Sequence, residues 1–266
     1  MLLALDIGNT NITLGAFEDK SLKARWRLAT DSRRMPDEYG LAVVNLLSLR
    51  GISPPNVHAI ALCSVVPPLT QVFEEVCKVF FSVTPLIVGS GVRTGIKILY
   101  DNPRDVGADR IVDAVAAYQL YGGPMIIVDF GTATVFDAVS AKGEYLGGAL
   151  APGLVMAAEA MVANTSILRR IELVAPKLPI GKNTSHSMQS GLMLGQVDLV
   201  EGMVRRFRAE MGTNSKVVAT GGLAPQIASL TDIFDVVNPD LTLMGLRIIH
   251  DMNLSNDSEH ETRAKR

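Results

Sequence analysis

The chain has 266 residues, which is enough for one large domain or two smaller ones, each with a buried core. Hydrophobic residues make up 48% of it and charged residues 20%, an ordinary globular composition. The net charge of -2 argues against the basic surface of a nucleic-acid-binding protein, so no nucleic-acid partner is expected. The two cysteines and four histidines follow no metal-binding or disulfide spacing.

The first half of the chain alternates apolar runs with turn signals. An apolar run followed by Gly8-Asn9-Thr10-Asn11 predicts a strand and a tight turn, and two more strands complete a meander. Helical apolar spacing ahead of Gly51 predicts a helix, and Pro67-Pro68 opens another. The predicted strands are 2–7, 12–17, 22–29, 58–65 and 85–88, and the predicted helices are 37–50 and 67–81.

The second half begins in the same way, with an apolar strand that ends in an aspartate and a glycine-rich turn. Shorter strands and several helices follow it. The predicted strands are 125–130, 134–140, 144–149, 215–220 and 234–237. The predicted helices are 107–121, 152–163, 186–211, one that begins near Pro225 and one near 242–251.

The two halves match at their turns. Asp6-Ile7-Gly8-Asn9-Thr10-Asn11 corresponds to Asp129-Phe130-Gly131-Thr132-Ala133-Thr134, and the two aspartates lie 123 residues apart. A repeat of this length predicts two similar α/β domains. We divide the chain into an N-terminal half (1–120), a C-terminal half (121–252) and a polar tail (253–266) that is predicted to be disordered.

No segment is predicted to enter a membrane. The N-terminus lacks the basic and apolar regions of a signal peptide, and the longest apolar stretch, residues 147–163, is interrupted by Pro152 and Glu159. We therefore expect a cytoplasmic protein without a membrane partner.

The two aspartate–glycine turns are typical of phosphate binding. A glycine lets backbone approach a ligand closely, and the asparagine and threonine groups after it can donate hydrogen bonds to phosphate oxygens. The carboxylate of Asp6 can hold Mg²⁺ through water, and the ion then bridges a nucleotide. Neither a Walker A motif nor a complete dinucleotide fingerprint occurs in the sequence, so P-loop and Rossmann sites are not favoured.

Several segments together resemble the type III pantothenate kinase family, within the actin-like superfamily of acetate and sugar kinases. The resemblance covers about residues 1–250. The segments are DIGNTN (6–11), SVVP (64–67), NPRDVGADR (102–110), DFGTATVFD (129–137), GGALAPG (147–153), GKNT (181–184) with QSG (189–191), and TGG (220–222).

This resemblance implies an α/β fold of duplicated ribonuclease H-like (actin-like) domains with mixed sheets and flanking helices. It implies ATP-dependent phosphorylation of pantothenate to 4′-phosphopantothenate, the first step of coenzyme A biosynthesis. It further implies Mg²⁺, a monovalent cation (K⁺ or NH₄⁺), and a homodimer whose active site is completed across the interface.

Carried onto this chain, the resemblance gives each candidate site residue a role. Asp109 would be the catalytic base, and Asp129 would bind K⁺. The ATP-binding residues would be Asp6, Ile7, Gly8, Asn9, Thr10, Asn11, Ile12, Thr13, Thr132, Gly221 and Gly222. The pantothenate-binding residues would be Tyr100, Gly107, Ala108, Asp109, Arg110 and Thr184.

The residues alone leave alternatives for three of these assignments. Asp109 lies in the first turn of a predicted helix, a position that favours acidic residues, lowers the pKa and keeps the carboxylate ionised. Arg110 could bind the carboxylate of pantothenate, or it could pair with Asp113 on the helix surface. Thr184 could cap the helix that follows it rather than bind substrate.

Three functions remain as hypotheses. The first is the pantothenate kinase, the second a non-catalytic regulatory or accessory relative, and the third an actin-like kinase or phosphatase with another acceptor. Intact Asp6, Asp109, Asp129 and Thr132 favour a catalyst over a binding module. The GADR sequence at 107–110 favours pantothenate over a sugar or acetate.

Overall fold

The computed structural model describes residues 1–212 and 214–264, with side chains described as far as residue 254. Contacts within the chain define two compact units. Unit 1 comprises Met1–Ile96, Asn102–Ala116 and the chain from Thr242 onward, and unit 2 comprises Lys97–Asp101 and Ala117–Leu241. The division at residues 120 and 121 stays a prediction. The predicted disordered tail, 253–266, falls largely on residues whose side chains lie outside the description.

The secondary structure alternates strands and helices along both units. The strands are β1 (Leu2–Ile7), β2 (Asn11–Glu18), β3 (Ser21–Ala29), β4 (Ala59–Ser64), β5 (Leu86–Ile87), β6 (Lys97–Ile98), β7 (Met125–Phe130), β8 (Ala133–Val139), β9 (Glu144–Pro152), β10 (Lys216–Thr220) and β11 (Val236–Val237). The α-helices are α1 (Pro36–Ser48), α2 (Pro67–Phe81), α3 (Ala108–Tyr121), α4 (Leu154–Ala163), α5 (Thr184–Gln189), α6 (Gly195–Met211), α7 (Ala224–Ala228) and α8 (Leu241–Ala264). A π-helical turn, Ser190–Leu194, joins α5 to α6.

The sheet of unit 1 has the order β3-β2-β1-β4-β5. Strands β1, β2 and β3 are antiparallel neighbours, whereas β4 and β5 run parallel to β1. Because β1 is central and covered on both faces, it reads as a continuous apolar run, and only its aspartate is partly exposed. The edge strand β3 alternates instead, with charged side chains on its exposed face.

Helices α1 and α2 supply much of the core of unit 1. Tyr39 of α1 and Phe73 of α2 are fully buried, and their ring centroids lie 4.9 Å apart. Leu47, near the end of α1, is buried in the same cluster with the inward residues of β1 and β2. The apolar spacing that predicted both helices is therefore the spacing of their buried faces.

The sheet of unit 2 repeats this arrangement. Its order is β11-β10-β7-β8-β9-β6, so β9-β8-β7-β10-β11 reproduces the order of unit 1 and β6 adds one strand at the edge. The directions also match, since β7, β8 and β9 are antiparallel neighbours and β10 and β11 run parallel to β7. The predicted duplication is confirmed.

Most predicted elements agree with the observed ones, but one strand was missed, and the last helix, predicted near 242–251, is observed as Leu241–Ala264. Strand β6 was not predicted, because its two residues make a shorter element than the runs of four or more residues from which strands are recognised. The long helix predicted over 186–211 is interrupted by the π-helical turn. Among the described residues, no helix combines the length and the apolar character that crossing a membrane requires.

Candidate active site

The first candidate phosphate turn joins β1 to β2 in unit 1. The Gly8 N–H donates to the carbonyl oxygen of Asn11 at 3.0 Å, which closes the turn. Asn9, Thr10 and Asn11 are exposed, so their side chains and amides are accessible to a ligand. Thr30, which follows β3, donates its hydroxyl to the carbonyl oxygen of Gly8 at 2.7 Å.

The predicted ATP-binding residues Asp6–Thr13 are thus brought together on one hairpin. Asp6 lies opposite Thr13 in the ladder, and Ile7 lies opposite Ile12. The side chains of Ile7 and Ile12 are fully buried in the core. These two residues can therefore offer a nucleotide only their backbone groups.

Asp6 lies at the end of the central strand, beside the parallel strand β4. Its partner in the ladder is Cys63, whose thiol donates to Asp6 Oδ1 at 3.5 Å. Burial, and then the negative charge of Asp109, raise the pKa of Asp6 from 3.8 to about 7, while the thiol hydrogen bond opposes this. The sequence did not single out Cys63, although a strand end next to β1 is where parallel-sheet sites form.

Asp109 lies in the first turn of α3, as predicted. Its Oδ1 accepts the backbone N–H of Arg110 at 2.8 Å. That hydrogen bond and the Arg110 guanidinium lower the pKa of Asp109, but burial is the largest effect and the pKa is raised. The expectation of a lowered pKa at this helix start is therefore wrong, because it left out the loss of hydration around the carboxyl group.

Gly107 makes room for the Asp109 carboxylate. A Cβ atom at position 107 would lie against Asp109 Oδ1, and 3.6 Å from a methyl group of Val65. Arg110 is buried, at 9% exposure, rather than lying on the helix surface as the alternative assignment required. Unit 1 therefore brings together the first turn and the Gly107–Arg110 group, and the charge of Asp109 acts on Asp6.

The second candidate phosphate turn joins β7 to β8 in unit 2. The Gly131 N–H donates to the carbonyl oxygen of Ala133 at 3.1 Å, the equivalent of the Gly8–Asn11 bond. Phe130 lies opposite Thr134, so this turn is one residue shorter than the first. The two predicted motifs therefore match as far as their glycines, but Thr134 is not the counterpart of Asn11.

Two threonines of this motif have different surroundings. Thr132 is exposed at the tip of the turn, and its carbonyl oxygen accepts the N–H of Gly153 at 3.2 Å. Thr134 is buried, and its hydroxyl accepts a hydrogen bond from Nε2 of the buried Gln196 at 3.1 Å. Thr132 is thus the threonine that can meet a ligand, and Thr134 joins α6 to the base of the turn.

Asp129 ends the central strand of unit 2, as Asp6 does in unit 1. Its ladder partner on β10 is Thr220, and Gly221 comes next with φ +90°. A Cβ atom at Gly221 would lie against Asp129 Oδ1 and 2.7 Å from the Phe130 backbone. Gly221 is therefore required by its conformation and by the space that Asp129 occupies. Gly222 beside it is exposed.

The other predicted substrate residues of unit 2 lie apart in the sequence. Tyr100 follows β6, and its ring centroid lies 6.3 Å from that of the buried Tyr145. Thr184 is the exposed first residue of α5, but the capping residue is Asn183, whose side chain accepts the N–H of His186 at 2.9 Å. Thr184 is therefore not the helix cap that the alternative assignment proposed.

The carboxylates suit the cations that the resemblance implies. Within the described residues, no cluster of three or more histidine, cysteine, aspartate and glutamate side chains could enclose a metal ion. Asp6 is a single carboxylate whose ionisation is opposed by burial and by Asp109, and a nearby Mg²⁺ would reverse that effect. The carboxylate of Asp129 lies against Gly221 and Gly131, where a Cβ atom at position 131 would be 3.3 Å from Asp129 Oδ2.

Two copies of this sheet, each with an aspartate and a glycine turn at the end of its central strand, define the duplicated ribonuclease H-like (actin-like) fold. Solved structures support the fold. A Baf family protein from Campylobacter jejuni is 19% identical with a TM-score of 0.61, over 95% of this chain and 99% of its own. A candidate 2-dehydro-3-deoxygalactonokinase from Sinorhizobium meliloti is 13% identical with a TM-score of 0.54, over 94% and 96%.

The family is identified by sequence. The family model described as type III pantothenate kinase matches residues 2–206. A type III pantothenate kinase from Dehalococcoides mccartyi (strain CBDB1) is 53% identical over 252 residues, which is 95% of this chain and 96% of the relative. This chain therefore belongs to the type III pantothenate kinase family.

Proposed function

We propose that this protein transfers the terminal phosphoryl group of ATP to pantothenate, giving 4′-phosphopantothenate and ADP in the first step of coenzyme A biosynthesis. The observation that carries the proposal is the family match over residues 2–206, which includes both aspartate–glycine turns and the GADR group. The 53% identity over nearly the whole chain supports the same activity.

In this reaction the hydroxyl oxygen of pantothenate attacks the terminal phosphorus of ATP. The new P–O bond forms as the bond to the bridging oxygen breaks, and ADP leaves with that electron pair. Asp109 accepts the hydroxyl proton. Its raised pKa supports this role, because a carboxylate whose pKa is closer to neutral is a better proton acceptor.

The remaining site residues bind and orient the substrates. Asp6–Thr13 and Thr132 bind the ATP phosphates, and Gly221 and Gly222 lie near the adenosine. Arg110 binds the pantothenate carboxylate, with Tyr100, Gly107, Ala108 and Thr184 as its other contacts.

Asp6 would hold Mg²⁺ through water, and Asp129 would hold K⁺ or NH₄⁺. The positive charge of these ions would offset the negative charge of the phosphates.

The protein also forms a homodimer in this proposal. Several apolar side chains of unit 2 are exposed, in β9, in α4 and in the loop that follows α4. They include Leu150, Val155, Met156, Ile167, Leu178 and Ile180. An apolar surface of this kind is typical of a contact with another protein chain, and the family resemblance favours a second copy.

A coupled assay of ADP release tests the activity. Purified protein, ATP, Mg²⁺ and K⁺ would be combined with and without pantothenate, and Asp109→Asn would be assayed beside the wild type. We expect pantothenate-dependent ADP release that falls by about 10²-fold or more in the variant. Release that ignores pantothenate, from protein that binds ATP, would instead favour the regulatory relative or another acceptor.

A further inference from the structure

A short segment after β3 is fixed to the first phosphate turn. Thr30 donates its hydroxyl to the carbonyl oxygen of Gly8 at 2.7 Å and its N–H to the carbonyl oxygen of Thr10 at 3.0 Å. Both bonds join the segment to the backbone of the turn rather than to a flexible side chain. The start of the segment, at Thr30, is therefore held beside the proposed phosphate site.

The turn itself carries no positive side chain. The sequence of residues 6–13 is DIGNTNIT, and that of the second turn, 129–135, is DFGTATV. Asp6 adds a further carboxylate to a site that must hold the charge of a triphosphate. Phosphoryl transfer relies on cationic groups around the phosphate oxygens, so a nearby guanidinium has a clear use.

The segment carries two arginines in different situations. Arg33 donates to both carboxylate oxygens of Asp31, from Nε at 3.1 Å and Nη2 at 3.2 Å, and holds the pKa of that carboxyl below its usual range. Arg34 is exposed, and its guanidinium carbon lies 5.7 Å from the ring centroid of Tyr39. Across the residues with described side chains, no carboxylate lies within ion-pair distance of Arg34.

Tyr39 is a rigid support for this guanidinium. Its side chain is fully buried, and its hydroxyl accepts the Asp31 N–H at 2.9 Å and donates to the Asp31 carbonyl oxygen at 3.0 Å. Glu38, the acidic residue before it, is occupied by the N–H of Met35 at the start of α1, at 2.9 Å. Stacking on a fixed ring restricts the guanidinium while leaving its N–H groups able to bind an oxyanion.

We propose that Arg34 binds the terminal phosphate oxygens of ATP beside the first turn. Thr30 holds the segment against the turn and Tyr39 supports the guanidinium. Asp31 forms its ion pair with Arg33, and its electrostatic interaction with Arg34 is the weaker one. This assignment rests on the use of ATP in the proposed function, and it adds a residue outside the DIGNTN motif.

Calorimetric titration with Mg²⁺–ATP and with AMP tests the proposal. Loss of a charge-assisted contact in Arg34→Gln should weaken ATP binding about tenfold and leave AMP binding within about twofold. Arg34→Lys, which keeps the charge without the planar fork, should give an intermediate affinity. Arg50→Gln is the control, since it also removes the charge of one exposed arginine of unit 1; its ATP affinity should be unchanged.

The proposal is overturned if Arg34→Gln binds ATP as the wild type does. It is equally overturned if AMP binding weakens as much as ATP binding, because the change would then act through the shape of the turn. Product analysis with pantothenate separates the two proposals. Arg34-dependent ATP binding without phosphopantothenate would support the role of Arg34 while the acceptor is wrong.

Discussion

Asp6 combines a raised pKa with a position at the end of the central strand of unit 1. Its carboxyl ionises near 3.8 in an unfolded chain and at about 7 in the folded protein. Between these values the folded state holds the proton more tightly, so stability falls as pH rises, and the loss is complete above about pH 7. The charge that suits Mg²⁺–ATP is therefore unfavourable in the free protein.

Asp6→Asn should accordingly stabilise the nucleotide-free protein at high pH. The gain in the free energy of unfolding should be near zero below pH 4 and reach at most about 4 kcal/mol above pH 7. The reason is that asparagine, like the protonated carboxyl group, carries no charge. Urea unfolding across this pH range measures it. Asp31→Asn is a control of opposite sign, because the pKa of Asp31 is lowered by Arg33. A pH-independent gain would contradict the assigned cause.

Gly107 offers a separate test of the position of Asp109. In Gly107→Ala the new methyl group would displace the Asp109 carboxylate, which is the flexible end of a side chain, so the fold should survive. We expect kcat to fall about 10²-fold while the KM for ATP stays within twofold. Steady-state kinetics measure both. Gly89→Ala is the matched control, since no atom lies within 4 Å of its Cβ position.

An unchanged kcat in Gly107→Ala would show that the carboxylate orientation does not matter for turnover.

The sequence could place Asp6 and Asp109 because Asp6 lies at a recognisable strand end and Asp109 at a recognisable helix start. It could not give the sign of the Asp109 pKa shift, since burial depends on side chains far away in the chain. Cys63 and Thr30 were missed for the same reason, because their contacts arise from strand pairing.

At the scale of elements, the close approach of β10 to the end of β7 depends on Gly221. Its φ of +90° strains any other residue, and its Cβ position is occupied by Asp129 and by the Phe130 backbone. Gly221→Ala should lower the free energy of unfolding by about 2 kcal/mol or more and weaken ATP binding. Urea unfolding and calorimetry measure these effects.

Gly51→Ala separates backbone strain from crowding in that experiment. Gly51 also has a positive φ, of +69°, but no atom lies within 4 Å of its Cβ position. The Gly51→Ala substitution should lower the free energy of unfolding by about 1 kcal/mol and leave ATP binding unchanged. Equal losses of unfolding free energy in the two variants would mean that crowding between Asp129 and a methyl group at position 221 contributes nothing.

The elements show which patterns carry structural information. Buried strands such as β1 and β7 were predicted with the observed bounds, because continuous apolar runs between turns are distinctive. Strand β6 left no such pattern, since it has only two residues and lies at the edge of the sheet, paired with β9. The shorter second turn was also missed, because an alignment of the two motifs does not show which residues pair between the strands.

For the whole molecule, the repeat of 123 residues predicted the duplication, and both sheets share one strand order and one burial pattern in their central strands. The contact-based units are less easily read from sequence. Residues 97–101 belong with unit 2 and the chain from Thr242 onward with unit 1. The unit to which such a segment belongs depends on tertiary packing, which no local sequence pattern records.

The homodimer is the prediction that concerns the whole molecule, and α4 is its clearest basis. This helix is almost entirely apolar, LVMAAEAMVA, yet Leu154 is its one buried residue, and Val155 and Met156 are 45% and 46% exposed. Met156→Glu should place an unpaired charge in the dimer contact and raise the dimer Kd more than about 100-fold. Sedimentation velocity measures this Kd, with Leu49→Glu as a control, since Leu49 is 77% exposed in unit 1.

If the active site is completed across the interface, turnover should fall with dimer content in Met156→Glu and not in Leu49→Glu. A wild-type monomer, or a Met156→Glu dimer of normal affinity, would show that this apolar surface serves another purpose.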